Sequence, residues 1–356
     1  MQLNLMKKTA VASSFFFVAA MSAIFYLSLH KVVTITGVAQ DEIWEDTTIK
    51  QEIETPGTGN YLTFQLGEAD TSYLRVPLPS GIRAEEIVIE NHYMDKELWI
   101  SVPKADEKFY KEHAISGNRQ AVEQGIFDSV GNVARLNFAL NDIYECHTIL
   151  ENENLYISFL APKELYDKIV VIDPACGGSD SGYTVDEFRE KDINLQVARK
   201  LKEKLDESDI KAYYTRMDDV NPTQEDRIAL GNDTRADMYI RIQVGADTDT
   251  AVYGTEAIYN GDYFIPGFGS IELADYLERE VVTSIKGKAL GLVEAGPGEY
   301  TLRQATIPAA AISVGYITNP QEVILLGREE YADKIATGIY NAIVKIYEEE
   351  ELTGEF

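Results

Sequence analysis

The chain has 356 residues, 45% of them hydrophobic, which suffices for about two domains with separate cores and excludes a disordered protein. A formal net charge of -27 at pH 7 argues against nucleic acid or an anionic membrane surface as partner, because like charges repel. Two cysteines, Cys146 and Cys176, are too few for a disulfide scaffold, although in an oxidising compartment they could pair.

In chain order, Lys7 and Lys8 precede an uncharged apolar run at 9–29, whose roughly 21 residues match the thickness of a bilayer core. The positive-inside bias keeps the lysines in the cytoplasm, which predicts a single-pass transmembrane helix with the bulk of the chain extracytoplasmic after His30. A cleaved signal peptide is the alternative, with Gly37 and Ala39 offering a small-residue site. Residues 1–30 are read as a cytoplasmic stub and anchor, and 31–60, polar and acidic from about Gln40 to Asn60, as a linker.

From 61 to 162 the pattern is of short runs that alternate apolar and polar residues or carry β-branched and aromatic side chains. They lie at 61–66, 73–78, 86–90, 98–102, Val133–Leu140 and 155–160, with Gly, Asn and Asp between them, and predict a small all-β domain. From Lys168 strands alternate with helices, the signature of an α/β layered domain over 168–350. Strands are predicted at 168–173, 210–214, 238–244, Thr255–Tyr259 and 310–314, and helices at 192–206, 223–232, Ser270–Ile285 and 331–350. The first helix sets Ile193, Val197, Leu201 and Leu205 on one face. Asn319 reads as the cap of a short helix with Pro320 first and Glu322 third.

Six blocks in the second half stand in a telling order: IDPACGGSDSG (172–182), EKDINLQVARKLKEKL (190–205), YTRMDD (214–219), RIALGNDTRADMYIRIQ (227–243), GTEAIY (254–259) and TLRQATIPAAAISVGYITNPQE (301–322). Together they resemble the zinc-dependent N-acetylmuramoyl-L-alanine amidases of bacterial cell walls, the amidase-3 family. The resemblance implies an α/β, amidase-3-like layered sheet with flanking helices. The segment 133–160 resembles the AMIN-type β domain that often precedes such amidases and binds the wall or an envelope partner; an unrelated β sandwich acting as a spacer is the alternative.

The family's chemistry implies zinc held by two histidines and a glutamate, with an open position for water, and a second glutamate as general base and acid. The resemblance places the first histidine at Cys176, the glutamate ligand at Glu190, the second histidine at Gln243 and the catalytic glutamate at Ser313. No histidine follows His147, so one of these four positions keeps its residue type. His30, His92, His113 and His147 all precede the amidase-like domain. The expectation is a pseudoenzyme with no catalytic residue, no cofactor and no metal at Cys176, Glu190 and Gln243. Glu190, Glu256 and Arg216 would line a groove that binds peptidoglycan or a cell-wall hydrolase. Zinc enters only under a second reading, an active amidase that cleaves the MurNAc to L-Ala amide with Cys176, Glu190 and solvent as ligands. A structural envelope module is the third reading. Each residue also has a plainer role: Glu190 at a helix N-terminus, Cys176 as a half-buried thiol, Gly177 and Gly178 in a tight turn, and Arg216, Arg227 and Asp237 as structural groups.

Overall fold

The computed structural model describes residues 61–66, 72–262 and 266–353; the expected membrane span at 9–29 and the linker after it lie outside these residues. Among the described residues no helix is long and apolar enough to cross a membrane. The fold divides between Leu160 and Ala161 into two units.

The first unit contains β1 (Phe64–Leu66), β2 (Leu74–Pro77), β3 (Val88–His92), β4 (Glu97–Pro103), α1 (Glu107–Glu112), β5 (Ile115–Gly117), β6 (Val122–Val130), β7 (Val133–Leu140), β8 (Glu145–Glu151) and β9 (Asn154–Leu160). One sheet has the order β1-β5-β2-β9-β8 and the other β3-β4-β7-β6. Strict alternation along β7 turns Ala134, Leu136, Phe138 and Leu140 to one side, where all are buried. Val76, Ile100, Leu136 and Ile157 meet in one core drawn from both sheets, which makes the unit a sandwich. The sequence reading missed β5, β6, β8 and α1. In β6 a register shift between Val122 and Gln124 interrupts the alternation that would have revealed it. Cys146, in β8, and Cys176, in the second unit, are each free thiols.

The second unit runs α2 (Pro162–Leu165), β10 (Ile169–Pro174), β11 (Thr184–Val185), β12 (Phe188–Arg189), α3 (Glu190–Leu205), β13 (Lys211–Tyr214), α4 (Gln224–Thr234), β14 (Met238–Gly245), β15 (Thr255–Tyr259), α5 (Ser270–Ile285), β16 (Ala289–Glu294), α6 (Tyr300–Arg303), β17 (Ala309–Tyr316), α7 (Glu322–Leu326) and α8 (Glu329–Thr353). The sheet order is β13-β10-β14-β17-β15-β16; the first four strands are parallel, and β15 runs antiparallel to β17. Helices α3, α5 and α8 cover one face, packing Val197, Leu201, Leu277, Val281, Ile335 and Ile339 against the sheet. Strand parity sends Ile240, Ile242 and Ile312 into that core. The same parity sends Tyr239, Arg241, Gln243 and Ser313 to the opposite face, where α4 packs against Tyr239 at Gly231.

One local reading is corrected. Asn319 accepts from the N–H groups of Gln321 (2.9 Å) and Glu322 (3.1 Å) and so does cap a turn. The Glu322 carboxylate does not return to Asn319; it accepts from Tyr316 N–H (2.7 Å) and Gly254 N–H (3.1 Å), clamping the end of β17 to the start of β15.

Candidate functional site

The loops that leave the C-terminal ends of β10 and β14 gather the residues singled out from the sequence, as expected where parallel strands deliver their loops. After β10 the backbone turns through three positive φ angles, Cys176 (62°), Gly177 (138°) and Gly178 (53°). A Cβ on Gly177 would collide with the Val220 carbonyl oxygen, so the turn requires glycine there. A Cβ on Gly182 would collide with Glu190 Oε2 and stand 2.8 Å from Cys176 Sγ, so a second glycine lets thiol and carboxylate converge. Glu190 opens α3 and is 5% exposed. Its Oε2 accepts from Tyr183 N–H (3.0 Å) and its Oε1 from Val244 N–H (3.2 Å), which ties the helix to the end of β14. Burial, with Glu190 and Asp180 nearby, pushes the Cys176 thiol up to about 12 against the pull of Arg241 and Arg227.

Gln243, Ser313 and Glu256 are register neighbours across β14, β17 and β15. Gln243 Nε2 donates to Ser313 Oγ (3.3 Å), while Gln243 Oε1 accepts from Arg241 Nε (3.3 Å). Arg241 Nη1 continues the chain to Asp173 Oδ2 (2.6 Å) and Thr301 Oγ1 (3.5 Å). The other oxygen of Asp173 takes Arg227 Nη1 (2.5 Å) and Thr215 Oγ1 (2.6 Å). Burial pushes the Asp173 carboxyl up, but Arg241 and Arg227 outweigh it and hold the group well below the usual carboxylate range. Glu256 is half-buried, and burial together with the Glu278 carboxylate raises its pKa.

Glu190, buried and held by the backbone, does not line a groove, and neither does Arg216. Only 3% exposed, it donates to the carbonyls of Pro174 (2.9 Å), Ala175 (3.0 Å), Lys191 (2.9 Å) and Asp218 (3.1 Å), and holds the turn together. Arg227 adds a bond to the Cys176 carbonyl (2.9 Å). Asp237 sits before β14, at the far end from Gln243, where it accepts from Ile169 N–H (2.8 Å) and Tyr347 Oη (2.9 Å). Sequence reading passed over Asp173 and Arg241, although charges inside the apolar runs IVVID and MYIRIQV are a signal, since such groups are buried only when paired.

This donor set does not fit a zinc ion. Glu190 spends both oxygens on backbone N–H groups, the Gln243 oxygen faces a guanidinium, and Ser313 Oγ has no carboxylate function. Among the described residues no group of three or more His, Cys, Asp and Glu side chains could hold a metal ion.

The sheet, its flanking helices and the motif blocks at its C-terminal edge make up a mixed α/β fold of the amidase-3 kind. Residues 170–345 match the N-acetylmuramoyl-L-alanine amidase family, amidase-3. The germination-specific N-acetylmuramoyl-L-alanine amidase of Bacillus subtilis (strain 168) is 30% identical over 200 residues, spanning 52% of this chain and 82% of that protein. The uncharacterized protein YqiI of the same strain is 33% identical over 189 residues, 53% of this chain and 89% of the relative. An N-acetylmuramoyl-L-alanine amidase from Clostridium difficile 630 shares 32% identity and covers 51% of this chain and 97% of its own, with a TM-score of 0.48. The chain belongs to the amidase-3 family of cell-wall amidases.

Proposed function

We propose that this protein is an exported, membrane-anchored amidase-3 homologue that has lost hydrolysis and uses its groove to bind peptidoglycan or a true cell-wall hydrolase. The β sandwich is then the AMIN-like module that adds affinity for the wall or an envelope partner. One observation carries the reading. The positions assigned to ligands and base are engaged with one another and with the backbone: Arg241 to Gln243, Gln243 to Ser313, and Tyr183 and Val244 to Glu190. Hydrolysis by the family's route needs a metal with an open position and a carboxylate that accepts a proton and returns it. Ser313 offers a hydroxyl, which does neither near neutral pH.

The test uses the full chain purified without chelator. Metal analysis is expected to find zinc far below one ion per chain, and incubation with peptidoglycan to release no L-alanine peptides. Insoluble wall is expected to retain the protein. Stoichiometric zinc with peptide release establishes the active amidase instead; failure of the wall to retain the protein favours the structural module.

A further inference from the structure

We infer that Arg241 is a built-in cation that keeps this site free of metal, so that the missing histidines are only part of the change. The inference rests on the reading above and deepens it, by giving the Arg241 charge a part of its own. Arg241 lies two residues before Gln243 on β14, so both side chains leave the same face of the strand. Its Nε holds the Gln243 oxygen at 3.3 Å, and its Nη1 holds Asp173 at 2.6 Å. The atom that position 243 would offer to a metal is therefore directed to a guanidinium. A histidine introduced there would present its ring nitrogen to the same N–H.

Charge balance points the same way. Asp173 already has one guanidinium, Arg227 at 2.5 Å, and a hydroxyl, Thr215 at 2.6 Å, so a second guanidinium is surplus to its neutralisation. At Asp173 itself two guanidiniums, Arg227 and Arg241, stand against one buried carboxylate. Neutral imidazoles would add no negative charge, and a divalent ion would deepen the imbalance. Repulsion from a guanidinium a few ångströms away weakens binding of such an ion by at least about tenfold, even at an effective dielectric of about 20. Without Arg241, Asp173 and Arg227 balance one to one. An Arg241 whose charge is fully cancelled by Asp173 predicts no such effect on metal affinity.

The experiment compares zinc affinity, by titration calorimetry and metal content after dialysis, in full-length chains carrying Cys176→His and Gln243→His. One version retains Arg241, one adds Arg241→Ser, and one adds Arg241→Gln, which keeps an N–H for Asp173 should the serine variant fail to fold. Zinc is expected to bind at least about tenfold more tightly in the folded variants lacking Arg241 than in the one retaining it. Affinities within about twofold whatever stands at 241, or no zinc binding in any folded variant, overturn the inference. Zinc bound stoichiometrically by the unmodified chain overturns the proposed function and the inference with it, whereas the variant results above overturn the inference alone, so the two failures are distinguishable.

Discussion

Asp173 has no exposed surface and accepts from two guanidiniums and a hydroxyl, so its charge is held by contacts that exist only in the folded chain. Its folded pKa lies below that of an unfolded aspartate, about 3.9. The stability this adds is therefore complete above about pH 4 and is lost progressively as pH falls toward the folded value. Asp173→Asn removes the charge and leaves Arg227 and Arg241 facing a neutral amide. The expected cost is about 3–5 kcal/mol at pH 7, read from urea unfolding, because one partner of a buried ion network has gone. The variant should also lose less stability than the native chain between pH 4 and pH 2. An equal acid dependence in both would show that other carboxylates govern it.

Among the strands and helices, Glu322 shows how a correct local signal can point to a wrong contact. The spacing of Asn319 and Glu322 suits a capping box, and the Asn half forms, but the glutamate serves Tyr316 and Gly254 N–H groups 6 and 68 residues away. Spacing alone does not say in which direction a long carboxylate turns. Glu322→Ala leaves both donors without this acceptor and is expected to cost about 2 kcal/mol in chemical denaturation. Glu322→Gln, which keeps an oxygen acceptor, should lose less; equal losses would assign the effect to packing. Elements with an unbroken pattern were legible to their ends, as in Val133–Leu140, Thr255–Tyr259 and Ser270–Ile285. Those with an interruption were not. The edge strand Ala289–Glu294 holds Gly291 at a φ of 102°, with a register shift opposite it, and shows no alternating face.

Taken together, the two halves were legible because the hydrophobic period changes near Lys168, and the family because motif blocks survive in order. The wiring between them was not, since Arg241 reaches Asp173 across 68 residues and Thr301 across 60, and only the folded sheet sets those distances. The second unit's core has a further consequence. Its packed side chains, from Val170 to Tyr347, all come from beyond Leu160, with α3, α5 and α8 closed over a sheet whose central strands are buried on both faces. A unit with such a core meets the requirement for folding alone. The segment 161–356, expressed by itself, is expected to unfold in one cooperative urea transition with a stability of about 5–15 kcal/mol, followed by circular dichroism. A gradual, non-cooperative loss of signal would show that the amidase-like fold depends on the sandwich that precedes it.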